Sequence, residues 1–198
     1  MPLPAPGEAV PSGLRSTEFA VRPITVDDAA ADYDAVMATR DLLREWEQTG
    51  WPADDFTVEA NRADLEGLAR RHEEGRAFTF TIRDPDDVAC LGCVYVFPTE
   101  AAFLAAAHVT PLNDETWEDV DAVVYFWVRA APSNARPLDA QLLSALRSWF
   151  REDWSLHSTV YVTSKLVTHQ LAVLDASGLT PLFELREDGK PARYLAYG

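Results

Sequence analysis

The stretch from Asp121 to Phe150, DAVVYFWVRAAPSNARPLDAQLLSALRSWF, constrains the fold of this chain more than any other. Ala122 to Val128 is a run of strong β formers, a polar loop follows, and Leu138, Leu142, Leu146, Trp149 and Phe150 then recur at helical spacing. A strand that passes through a short loop into an amphipathic helix makes a ready anion site. The first amides of a helix lack internal partners, and its dipole adds partial positive charge there. The loop contains no glycine.

A chain of 198 residues is long enough for one domain with a substantial core. Its hydrophobic content is 47%, yet no apolar run approaches the length that crosses a membrane. The N-terminal MPLPAPGEAVPSG has neither a basic start nor an apolar stretch, so it does not read as a secretory signal, and a cytoplasmic protein is expected. Its prolines predict a flexible tail over residues 1–17, followed by a single domain over residues 18–198. The formal charge of −15 opposes phosphate-dominated binding and argues against a nucleic-acid partner. An acidic surface keeps a protein soluble and also attracts a cationic amine.

Cys90 and Cys93 form CLGC at the start of a strand-like segment, CLGCVYVF. Strand residues three apart point to opposite faces, so the two sulfurs are expected to diverge. No second cysteine pair completes a zinc site. Two buried, reduced, metal-free thiols are the expectation.

Along the chain, Phe19 to Ile24 reads as a first strand, and Thr25 opens a helix with Asp27 and Asp28 in its first turn. Helical patterning continues through Leu42, Leu43 and Trp46 until Gly50-Trp51-Pro52 breaks it, and a second helix runs from Thr57 toward Gly75. Phe78, Phe80 and Ile82 alternate with Thr79, Thr81 and Arg83, and a turn at residues 84–87 leads into Cys90 to Phe97 as a hairpin. Residues 98–120 read as an insertion. After the strand and helix of the opening segment come a strand at Thr159 to Thr163, a helix ending near Gly178, and a final hairpin around Glu187-Asp188-Gly189-Lys190.

This order, with FAVRPITVDD near the start, LGCVYVFP in the third strand, VVYFWV in the fourth and VLDASGL before the final strands, resembles the GNAT superfamily of N-acyltransferases over about residues 19–197. The resemblance implies an α/β (α+β) fold: a mixed, mostly antiparallel sheet of six to seven strands, helices on both faces, and splayed fourth and fifth strands. It implies acetyl-CoA as cofactor and acetyl transfer to a primary amine of a small molecule or protein, with no membrane partner. A homodimer stays open. The reading from a different class is a non-catalytic domain that uses the same cleft for a small ligand or partner protein.

The same resemblance lays the pantetheine arm of acetyl-CoA along Phe126, Trp127 and Val128, and the pyrophosphate on the loop with Asn134, Ala135 and Arg136. Pro137 and Asp139 stand where the family has glycines, which removes one amide donor and adds a carboxylate. Leu174 stands at the family's thiolate-protonating tyrosine, Val167 near its asparagine and Val123 at its strand glutamate. The acid or base candidates that remain are Tyr125, Asp121 and His169, with Tyr95 and Tyr161 behind them.

Overall fold

A computed structural model describes residues 3, 9–130 and 138–198. The sequence-predicted loop residues Asn134, Ala135, Arg136 and Pro137 lie outside the described residues.

The described strands form one sheet. In chain order they are β1 (Leu14–Arg15), β2 (Ala20–Pro23), β3 (Phe78–Arg83), β4 (Cys90–Phe97), β5 (His108–Pro111), β6 (Ala122–Val128), β7 (Thr159–Ser164), β8 (Pro181–Arg186) and β9 (Tyr194–Tyr197). Across the sheet the order is β1-β2-β3-β4-β6-β7-β9-β8-β5, and only β6 and β7 run parallel. Helices α1 (Ala29–Ala38), α2 (Arg40–Glu47) and α3 (Val58–Glu73) lie between β2 and β3 in sequence. The short α4 (Ala102–Ala106) precedes β5, α5 (Leu138–Glu152) joins β6 to β7, and α6 (Thr168–Ala176) follows β7.

Alternation along β6 divides the core into two layers. Ala122, Val124 and Phe126 pack with Leu142, Leu146 and Phe150 of α5 and with Leu174 of α6. Val123, Tyr125 and Trp127 pack on the other face with Val36 of α1, Leu43 and Trp46 of α2 and Leu65 of α3. Both sides of this central strand are covered, so it reads as a continuous apolar run. Each fully buried large side chain in these layers contributes roughly 1.5–3 kcal/mol of transfer free energy.

The sheet has nine strands, where six to seven were expected. The additional members are β1 and β5. Residues 14–15 fall in the stretch expected to be a tail, yet a turn places Ser16 N 2.8 Å from Phe19 O and folds Leu14 back onto Val21. β5 lies inside the predicted insertion and pairs with β8 at the far edge, Val109 opposite Leu185. Two- and four-residue edge strands carry too little periodicity to announce themselves, and their partners supply the register.

Cys90 and Cys93 correct a second expectation, because their sulfurs converge. The β3–β4 register passes from Ile82 opposite Gly92 to Arg83 opposite Cys90, so one extra residue, Leu91, is accommodated in a bulge. The bulge inverts the alternation: Leu91 joins the α5 layer with Val94 and Val96, while Cys90 and Cys93 both join the opposite layer. Gly92 permits this with φ +144°, and a Cβ there would lie 2.1 Å from the carbonyl oxygen of Trp127.

Candidate active site

The parallel pairing of β6 with β7 lasts for three positions, Ala122 with Thr159, Val123 with Val160 and Val124 with Tyr161. Beyond Val124 the strands part, so the fourth and fifth strands of the sequence-derived order are splayed. On its other edge β6 stays paired with β4 to Val128. The Arg129 N–H donates to the Leu91 carbonyl at 2.8 Å, which sets the alternation of an antiparallel ladder. The peptide groups of Tyr125 and Trp127 therefore face β4, and those of Phe126 and Val128 face the opening wedge.

One residue braces that wedge. Gln170 of α6 donates its Nε2–H to the Phe126 carbonyl at 2.8 Å and accepts from Thr163 Oγ1 at 2.5 Å. All three partners are buried. The Phe126 carbonyl, unclaimed by any strand, thus takes a carboxamide N–H, the chemistry of a pantetheine amide.

Tyr125 occupies the first position past the last paired one. Its ring sits among Trp46, Phe97 and Phe103, with centroids 6.0, 5.9 and 6.0 Å away. Its Oη is buried and has no hydrogen-bond partner among the described residues. Burial pushes the Tyr125 hydroxyl well above its ordinary value, with Glu187, Tyr194 and Glu47 adding to the effect, so it stays protonated at neutral pH.

The ring forms part of the wall of a cleft of about 1170 Å³ on the α2 side of the sheet. Aromatic side chains from α2, β4, β6 and β9 line it, and Phe103 of α4 brings the predicted insertion into its wall. Glu47, Asp64, Glu100 and Glu187 line it, and so do Arg71, Arg76 and Lys190. Burial raises the Glu187 carboxyl, Lys190 lowers it and Glu47 raises it again, with a net upward shift. The β8–β9 turn is docked on the C-terminus of α2. The Glu47 carbonyl accepts from Lys190 Nζ and, at 3.1 Å, from Tyr194 Oη, and Gln48 Oε1 accepts from the Ala192 N–H at 2.6 Å. A cation at a helix C-terminus complements the dipole.

Of the sequence-predicted acid or base candidates, Tyr125 and Tyr95 meet at the cleft and the others do not. Asp121 lies at the paired end of β6, where its Oδ2 accepts from the N–H groups of His157 and Ser158 at 2.8 and 2.9 Å. His169 contacts the Asp139 carboxylate between the first turns of α6 and α5, away from the cleft. Tyr161 points into the α5 layer. Tyr95 accepts from Trp127 Nε1 at 3.2 Å and lines the cleft beside Tyr125. Leu174, at the family's tyrosine position, is fully buried in the core. Glu47, Glu187 and Tyr194 were not singled out from the sequence. The one signal available was the Glu187-Asp188-Gly189-Lys190 turn, which carries charge at a hairpin tip.

No family model matches the chain, and no curated protein matches it. Solved structures do. A ribosomal-protein-S5-alanine acetyltransferase from Vibrio fischeri superposes with a TM-score of 0.67 at 18% identity, covering 93% of this chain and 94% of its own. RimL, a ribosomal L7/L12 alpha-N-protein acetyltransferase in complex with coenzyme A, gives 0.66 at 16% identity over 96% of both chains. The chain has the GNAT acetyltransferase fold. The microcin C7 self-immunity acetyltransferase MccE, in complex with acetyl-CoA and AMP, gives 0.65 at 13% identity over 95% of this chain and 96% of its own.

Proposed function

We propose that this GNAT-fold chain is an acyl-CoA-dependent N-acyltransferase that passes an acetyl group to the primary amine of a small molecule or a protein. The observation that carries the reading is the placing of Tyr125, the first residue past the last β6–β7 pair, in the wall of the cleft. The names of two structural neighbours, an alpha-N-protein acetyltransferase and a microcin C7 self-immunity acetyltransferase, support an amine acceptor. A cytoplasmic location belongs to the same reading.

A bound acyl-CoA supplies a thioester carbonyl as the electrophile. The backbone groups of Val128 and the N–H of Phe126, whose carbonyl is held by Gln170, face the wedge to hold its arm, and α5 presents the first amides of a helix. An incoming ammonium is neutralised by Glu187, whose raised pKa brings it closer to the operating range of a base. Glu47 adds negative charge that draws the cation into the cleft. Tyr125 keeps its proton and offers it as a hydrogen bond from the cleft wall. The surrounding aromatic rings exclude water and favour an acceptor whose amine is borne on an apolar group.

Mass spectrometry of products from the full chain, acetyl-CoA and a panel of aryl-alkyl amines and peptide N-termini tests this. Tyr125→Phe is expected to lower kcat by about 100-fold with little change in KM, in the range of one lost hydrogen bond to developing negative charge. Glu187→Gln should remove the acidic limb of the kcat/KM profile. Absence of both turnover and an acetyl-CoA-dependent rise in melting temperature overturns the reading.

A further inference from the structure

Away from the cleft, the bulge of β4 gathers a cluster that the proposed reaction does not use. Asp32 Oδ1 lies 3.3 Å from Cys93 Sγ and 3.7 Å from Cys90 Sγ. The ligand atoms of the three residues all fall within 4.8 Å of one another, and all three residues are buried. The geometry points to a site for a single thiophilic divalent cation, zinc(II) first among them, that ties α1 to the β4 bulge.

Distances support this assignment. With zinc bonds of about 2.3 Å to sulfur and 2.0 Å to oxygen, a tetrahedral angle places sulfur and oxygen roughly 3.5 Å apart. The two observed separations bracket that edge. The second carboxylate oxygen is already held, since Asn61 Nδ2 donates to Asp32 Oδ2 at 2.9 Å and to the Ala29 carbonyl at 3.0 Å. That leaves Oδ1 for the metal and gives the carboxylate the kind of outer partner that orients metal ligands. The Gly92 carbonyl, 3.4 Å from Cys90 Sγ, offers a further oxygen.

Charge makes the same case. Buried carboxylates are paired with cations or bind metals. Asp32 is 3% exposed, and among the described residues no Lys, Arg or His nitrogen lies within 4.0 Å of it. Binding replaces the two thiol protons with the metal and releases them to solvent. A disulfide suits the site less well. The bulge sets Cys90 opposite Arg83 and Cys93 opposite Thr81, so the pair has the spacing of next-but-one strand residues, roughly 6.6 Å. That lies at the long end of the roughly 4.4–6.8 Å of Cα separation that a disulfide spans.

The test uses the full chain expressed in zinc- or cobalt-supplemented medium, because the site is buried. Elemental analysis should find one metal per chain, the cobalt protein should show a thiolate-to-cobalt charge-transfer band, and removal by a chelator should lower the melting temperature. Asn61→Ala, a change to a positioning residue, should weaken zinc by about 10–100-fold in competition with a chromophoric chelator. Cys93→Ser and Asp32→Asn should abolish the band, with circular dichroism verifying that each variant is folded. A folded wild type without metal or band overturns the assignment and leaves two thiols donating to a carboxylate. Metal retained by a Cys90→Ser/Cys93→Ser variant overturns it as well.

Discussion

Asp28 and Asp32 stand one helical turn apart at the start of α1, are both buried, and have carboxyl pKa values shifted in opposite directions. Asp28, 5% exposed, receives the Arg22 guanidinium in a fork, Nη2 to Oδ1 at 2.7 Å and Nη1 to Oδ2 at 2.9 Å. The Thr25 N–H adds a bond at 2.9 Å, and Arg83 Nη1 stands 3.8 Å away. Burial pushes the Asp28 carboxyl up, but the Arg22 hydrogen bonds and charge and the Thr25 amide outweigh it, and the net shift is downward. Asp32 has an amide and two thiols instead. Burial is the largest influence on it, the bonds from Asn61, Cys93 and Cys90 only moderate it, and the net shift is upward. Burial fixes the size of what must be compensated; a neighbouring cation decides the sign.

The largest break in this comparison is Asp28→Ala. It removes the Arg22 fork and one of the two carboxylates that Arg22 and the buried Arg83 share, Asp87 being the other, and the cost expected is about 3 kcal/mol by urea denaturation. A loss below about 1 kcal/mol, the range of exposed ion pairs, would mean that the Asp28 cluster is no better than surface charge.

Gly92→Ala comes next and acts on the Asp32 side. The new Cβ would meet the Trp127 carbonyl, and the backbone conformation is one that L side chains rarely adopt. A loss of about 1–3 kcal/mol is expected. If the strand relaxes by losing its bulge, Cys90 returns to the α5 face and leaves Asp32, so its rate of alkylation in the folded protein should change relative to Cys93. Wild-type stability would show that the bulge does not depend on this glycine.

The smallest effect is Asp32→Asn, which keeps the shape and removes the charge, with an expected change of no more than about 1 kcal/mol in the metal-free protein. Its pH dependence is the informative part. The lowered Asp28 pKa gives stability that is present above the ordinary value of 3.8 and lost as pH falls through the folded value. The raised Asp32 pKa gives stability that is present below 3.8 and lost as pH rises through its folded value. Relative to wild type, metal-free Asp32→Asn should therefore gain as pH rises from 3 toward 7. A difference that is flat with pH would show that Asp32 is not perturbed.

Much of the fold is legible from neighbours in the chain. The β6–loop–α5 unit is local, since a run of β formers and a 3.6-residue apolar period each declare an element whatever it packs against. The order of the major elements follows from the same patterns. The cleft wall is another matter: Trp46, Tyr95, Tyr125 and Tyr194 come from four elements, and each reads by itself as an ordinary core aromatic. Gln170 likewise looks like a surface residue of a helix until α6 lays it against the Phe126 carbonyl.

By itself the sequence determined the periodicities, the acidic charge, and a wedge-forming order of strands in which β6 is apolar on both faces. The tertiary structure alone decided that Leu91 bulges, that Cys90 and Cys93 share a face with Asp32, that β1 and β5 extend the sheet, and that Tyr125, one residue past the last β6–β7 pair, joins the cleft wall. The physical reason is the range of the forces involved. Period and propensity act between residues a few positions apart, whereas register, bulge and charge compensation depend on which distant strand or helix supplies the partner.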